Sequence, residues 1–141
     1  MKKRIWKTAV SLVVALSLFW GHGNVIALAA STVRGEILDV EVVGRVIMDD
    51  MSTTASTSYG RGGGYIYATA TVYYWFAEYY CKTTVGPNFN TAGGASATAT
   101  KKLGGADVIG AKGEHKVIWQ AYTWEPEDTT IGTIREDSIE L

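Results

Sequence analysis

Residues 65–85 run YIYATATVYYWFAEYYCKTTV, a stretch that leaves little room for anything but β structure. Its β-branched and aromatic side chains suit a pleated surface. Ile66, Ala68, Ala70, Val72, Tyr74 and Phe76 fall on one face, and Tyr65, Tyr67, Thr69, Thr71, Tyr73 and Trp75 on the other. That period of two belongs to a strand. After Phe76 the parity reverses. Ala77, Tyr79 and Cys81 take the buried role, and Glu78, Tyr80 and Lys82 the polar one. One extra residue in a strand produces such a reversal. No Gly, Asn or Pro stands at 77–78 to make a tight turn, so the segment reads as one long, bent strand.

The rest of the chain repeats the theme. Residues 33–48 alternate, with Leu38, Val40, Val42, Val46 and Met48 apolar and Asp39, Glu41 and Arg45 charged, and Gly44 marking a bulge or bend. Residues 52–58 (STTASTS) form a short edge strand or a loop. The glycines of Gly60-Arg61-Gly62-Gly63-Gly64 make a flexible turn; they lack the Lys-Ser/Thr and following helix of a phosphate loop. Gly86-Pro87-Asn88-Phe89-Asn90 carries strong turn chemistry and reads as a loop. The alternation of residues 93–100 (GGASATAT) echoes ATAT at 68–71, as two strands of one sheet would. Ile109, Ala111, Val117, Trp119 and Ala121 read as the buried set of a long segment over residues 106–124, with Tyr122 and Trp124 outward. A last strand near residues 129–134 precedes an acidic tail. No helical period is sustained anywhere. The expected fold is all-β: a small antiparallel β-sandwich or partly closed barrel. Because alanines crowd the inward positions, Tyr74, Phe76, Trp119 and Tyr79 are expected to supply its bulk.

The first thirty residues follow another logic. Lys2, Lys3, Arg4 and Lys7 precede an apolar run over residues 8–20, and small residues follow, with Ala27, Ala29 and Ala30 at the cleavage region. This three-part layout is that of a bacterial-type secretory signal peptide. The apolar run of thirteen residues is short of the roughly twenty that span a bilayer as a helix. The expected organisation is a signal peptide over residues 1–30 and one secreted, extracellular β domain over residues 31–141. Four of the thirteen basic residues lie in the leader, which leaves nine against fourteen acids, a net of −5. That balance speaks against nucleic-acid partners and against binding to anionic membrane surfaces. One cysteine, Cys81, allows no internal disulfide and reads as a small packed residue.

Candidate chemistry is sparse. His115 shares the inward parity of Val117 and Trp119, as a hydrogen-bonded structural histidine would. No motif for a cofactor, zinc or calcium is present. The aromatic residues are the better clue. Tyr65, Tyr67, Tyr73, Trp75, Tyr122 and Trp124 share outward parity and form the expected ligand platform, able to stack on sugar rings or mark a protein interface. The leading expectation is a non-catalytic binding module for a cell-wall, polysaccharide or protein partner. A secreted toxin acting on competitor cells is the alternative. A small hydrolase using His115 or the acids Asp49, Asp50, Glu125, Glu127 and Asp128 is the third.

Overall fold

The computed structural model describes the backbone of residues 3–4, 12–17 and 27–141 and the side chains of residues 29–141. Most of the expected leader lies outside the described residues. The described strands, in chain order, are β1 (Lys3–Arg4), β2 (Leu12–Ser17), β3 (Ala27–Ile37), β4 (Val40–Met48), β5 (Ser52–Tyr59), β6 (Tyr65–Phe76), β7 (Tyr79–Asn90), β8 (Gly93–Thr100), β9 (Asp107–Trp119), β10 (Tyr122–Trp124), β11 (Thr129–Gly132) and β12 (Ile139–Glu140). No helix occurs among the described residues.

Two sheets pack face to face as a β-sandwich. One has the order β2-β3-β4-β5-β8 and is antiparallel throughout. The other has the order β1-β10-β9-β6-β7-β12, with β11 also paired to β9. Only its short outer strands, β1 on β10 and β12 on β7, pair in parallel.

The inward alternation of β6 holds from Ile66 to Tyr74, all buried. The reversal beyond it has a different cause from the one expected. The chain turns back at Ala77-Glu78, pairing Phe76 with Tyr79, with Ala77 at φ 54°. Two residues suffice for a hairpin, and the left-handed conformation is carried here by an alanine instead of a glycine. The same device splits residues 33–48 at Leu38-Asp39, both at positive φ, and residues 106–124 at Gln120-Ala121, where Gln120 has φ 53°. A two-residue hairpin places its flanking residues directly opposite each other on one face. Each turn therefore inverts the parity that a continuous strand would keep.

Other expectations are corrected by context. Residues 52–59 form an interior strand, β5, held between β4 and β8, with Thr53, Ala55, Thr57 and Tyr59 buried. The Gly86–Asn90 segment belongs to β7, where Gly86 and Pro87 together oppose Thr69 in a bulge. Gly44 sits in unbroken register between Val33 and Thr57, and its lack of a side chain makes room for the His115 ring. The echoing ATAT segments lie in different sheets. Ala70 of β6 and Ala97 of β8 meet across the interior, where small side chains allow close approach.

The core has a bulky end and a small-residue end. Val33, Ile37, Val42, Tyr59, Ile66, Val117 and Trp124 fill the first. Ala55, Ala70, Ala97, Ala99, Ala106 and Cys81 surround Tyr74 and Val72 in the second. Tyr74 is the only one of the four expected bulk residues that is fully buried. Trp119 is partly buried, while Phe76 and Tyr79 flank the hairpin tip and remain exposed. Tyr59 and Trp124 take their place.

Trp124 lies so close over Gly35 that a Cβ there would collide with the indole Nε1. Gly35→Ala is therefore expected to cost about 1–3 kcal/mol by overpacking. Gly104→Ala, with open space around it, should stay within about 0.5 kcal/mol of the parent. Urea titration of both variants checks the contrast.

Candidate functional site

The outer face of the β7-β6-β9 sheet carries the odd-numbered side chains of β6. Cross-strand register arranges them in rows: Phe89, Tyr67 and Lys116; Thr69 and Glu114; Thr84, Thr71 and Lys112; Lys82 and Tyr73; Tyr80 and Trp75. The rows from Tyr65 to Trp75 extend over about 33 Å at the rise of a strand.

The C-terminal segment crosses the middle of this face. Glu136 accepts hydrogen bonds from the Tyr73 hydroxyl at 3.2 Å and from the Lys112 ammonium at 3.1 Å. Lys82 donates to the Glu136 carbonyl at 3.3 Å. The Leu141 N–H donates to the Lys82 carbonyl, and the Glu140 carboxylate accepts from the Thr84 N–H at 2.7 Å. Arg135 lies 3.9 Å from the Tyr80 ring centroid and holds Asp137 through both of its carboxylate oxygens. What the sequence presents as an acidic tail is a strap. Burial pushes the Tyr73 hydroxyl above its ordinary pKa, with Lys112 opposing and Glu136 adding to the rise. The Lys112 hydrogen bond holds Glu136 below the usual carboxylate range.

Two aromatic areas remain open on either side of the strap. At one end, Tyr65 is 52% and Phe89 65% exposed, and the Tyr67 and Phe89 rings stand 6.1 Å apart. They adjoin a hollow of about 280 Å³ lined by Tyr67, Thr69, Pro87, Glu114, Lys116 and Glu125, with His115 and Ile118 completing it. Lys116 and Glu125 face each other at 3.8 Å. Away from this face, Arg61 lies 4.9 Å from the ring of the inward-facing Trp119, whose Nε1 donates to the Gly62 carbonyl. At the other end Trp75, 45% exposed, stacks on Tyr80 at 6.4 Å, next to exposed Phe76 and Tyr79.

The six platform residues thus divide. Tyr65, Tyr67 and Trp75 lie on the open outer face. Tyr73 shares that face but is wholly buried beneath the strap. Tyr122 packs on the core and Trp124 is inside it, only 5% exposed. The turn at Gln120-Ala121 accounts for these last two, because Tyr122 pairs with Trp119 and Trp124 with Val117, both inward positions. The residues missed from the sequence are Phe89, Pro87, Glu114 and Lys116. The alternation of Phe89 between Asn88 and Asn90 was the available signal, hidden by the turn chemistry of Gly86-Pro87.

His115 points the other way, into the sandwich. Its Nε2 lies 2.8 Å from the Thr129 hydroxyl and its Nδ1 2.8 Å from that of Thr57 on the opposite sheet. Thr129 donates to the Gly113 carbonyl, so the ring donates from Nε2 and accepts at Nδ1. Both nitrogens are engaged by the neutral form. Burial lowers the His115 pKa to about 4.

Comparison with protein-family models, curated proteins and solved structures finds no match to this chain.

Since the folded pKa is about 4 against an ordinary 6.5, the unfolded chain binds more protons at His115 between those values. Stability is then full above pH 6.5 and falls as pH drops toward 4, by about 3 kcal/mol in all. Denaturation midpoints across pH 4–7 should show this slope, and His115→Gln should flatten it. In the strap, Glu136→Ala removes the partner of the buried Tyr73 hydroxyl. It should cost about 1–2 kcal/mol and speed amide exchange at Ile139 and Leu141.

Proposed function

We propose that this chain is an exported, non-catalytic β module that binds a cell-wall or other polysaccharide through the outer face of the β7-β6-β9 sheet. A leader over residues 1–30 directs the export, and the domain from residue 31 onward does the binding. The observation that carries this reading is the Tyr65, Tyr67 and Phe89 surface beside a polar hollow. Sugar rings present one apolar face and a rim of hydroxyls. Aromatic faces take the first by stacking, and nearby charged and hydroxyl groups take the second. Thr69, Glu114, Lys116 and Glu125 supply both donors and acceptors in the hollow.

The Trp75–Tyr80 pair at the hairpin tip is a second stacking area on the same face. A polymer reaching from one area to the other passes along the strap, whose Arg135 and Glu136 add polar contacts. Two weak areas engaged by one polymer reinforce each other, since the second contact forms within the complex made by the first.

Co-sedimentation of the processed protein with insoluble cell-wall polymers tests the reading, with neutral and anionic liposomes in parallel. Binding to polymer and not to lipid is expected. Tyr67→Ala and Phe89→Ala should each weaken it about five- to tenfold, and the Tyr67→Ala/Trp75→Ala pair more. Unchanged binding in all of these variants, or capture by liposomes alone, would overturn it.

A further inference from the structure

The charged groups of the outer face are unevenly matched. Lys82 and Lys112 lie 3.7 and 3.1 Å from Glu136, Lys116 lies 3.8 Å from Glu125, and Arg135 holds Asp137 at 2.8 Å. Each of these four cations is engaged by a carboxylate. Glu114, in the lining of the hollow, is not so engaged. It is exposed, and among the described residues it forms no hydrogen bond and no ion pair. Its neighbours on the same face of β9 are Lys112 and Lys116, both already taken. Its partner on β6 is the uncharged Thr69. The hollow thus holds two carboxylates, Glu114 and Glu125, against one ammonium, Lys116. The domain as a whole leans the same way, with nine basic residues against fourteen acids from residue 31 onward.

Glu114 stands one row from the stacking surface. Tyr67 is opposite Lys116 and Thr69 opposite Glu114, which sets the two rows about 7 Å apart along the strands. A ring stacked on Tyr67, with Phe89 beside it at 6.1 Å, has its edge over the hollow and within a substituent's reach of Glu114. The hollow, of about 280 Å³, lies at the small end of the roughly 300–1,000 Å³ of ligand pockets and suits one residue of a polymer.

We infer that the sugar recognised here is an amino sugar with a free amine, whose ammonium sits against Glu114 while its ring stacks on Tyr67 and Phe89. The inference rests on the polysaccharide reading of the proposed function and names its substrate class. An ammonium brings donors and a positive charge to a carboxylate that can only accept. Their hydrogen bond is charge-assisted and stronger for it. A neutral sugar meets Glu114 through hydroxyls alone and leaves the surplus negative charge of the hollow in place. A uronic acid adds to that surplus. Amines on successive residues also draw a polymer toward an acidic domain from a distance.

Titration calorimetry at low salt and about pH 6 tests this, with soluble oligomers of β-linked glucosamine and the same oligomers N-acetylated on every amine. Acetylation removes the charge and keeps the ring. The free-amine form should bind about tenfold more tightly. Glu114→Gln keeps the shape of an exposed side chain and should abolish that preference, leaving the acetylated form within about twofold of the parent. Tyr67→Ala should weaken both. Asp39→Asn, at the hairpin turn of the other sheet, removes the same charge far from the hollow and should change neither. Equal binding of the two forms overturns the inference and leaves the stacking reading standing. A preference that survives Glu114→Gln, or falls as far in Asp39→Asn, overturns the assignment to this hollow. Binding of neither form also overturns it, and the stacking reading is then decided by wall-polymer co-sedimentation alone.

Discussion

The imidazole of His115 stands between the two sheets, and much of the surrounding sequence is arranged to receive it. Thr57 reaches it from β5 and Thr129 from β11, so one side chain joins the opposite sheet to a peripheral strand of its own. Gly44 leaves space for the ring on the facing strand. Gly113, whose carbonyl accepts from Thr129, sits close against the same ring, where a Cβ would press on Nε2. A buried polar ring is tolerated only when both nitrogens are paired, and here the pairing also fixes how the sheets lie against each other. With no disulfide available, this link acts beside two core clusters, the bulky one around Tyr59 and Trp124 and the alanine-lined one around Tyr74.

The same economy of side chains explains where the aromatic residues go. Tyr59, Tyr74 and Trp124 fill the space that alanines leave. The two tyrosine hydroxyls are not stranded: Tyr74 meets Thr83 at 2.9 Å and Tyr59 the Ile37 carbonyl. The remaining aromatics stay outside, and the strap decides which of them remain open. By covering Thr71 and Tyr73 it divides a single ladder into two exposed aromatic areas, one of them beside the hollow that contains Lys116 and Glu125.

Much of the fold was legible because strand periodicity is local. The inward set from Ile66 to Tyr74, the buried positions of Ala111, His115 and Val117, and the packed Cys81 all follow from alternation. The hairpins at Leu38-Asp39, Ala77-Glu78 and Gln120-Ala121 were not legible, since none uses the Gly or Asn that ordinarily announces left-handed backbone. At Ala77-Glu78 the reversal was read and given to an extra residue in one strand, whereas at Leu38-Asp39 and Gln120-Ala121 the missed turn carried the parity forward with the wrong sign. This is why Trp124 read as a platform residue and lies in the core. Tyr73 failed for a different reason: its parity was right, but its exposure depended on Glu136, 63 residues further along the chain.

The sequence by itself determined that the domain is all-β and which residues within each strand share a face, because pleat and side-chain preference act between near neighbours. Only the tertiary structure decided which faces meet and which stay open. The seating of Trp124 on Gly35, the ring of His115 between two threonines and the strap over Tyr73 join residues far apart in the chain. Their geometry exists only once the sheets have packed, and no local pattern encodes it.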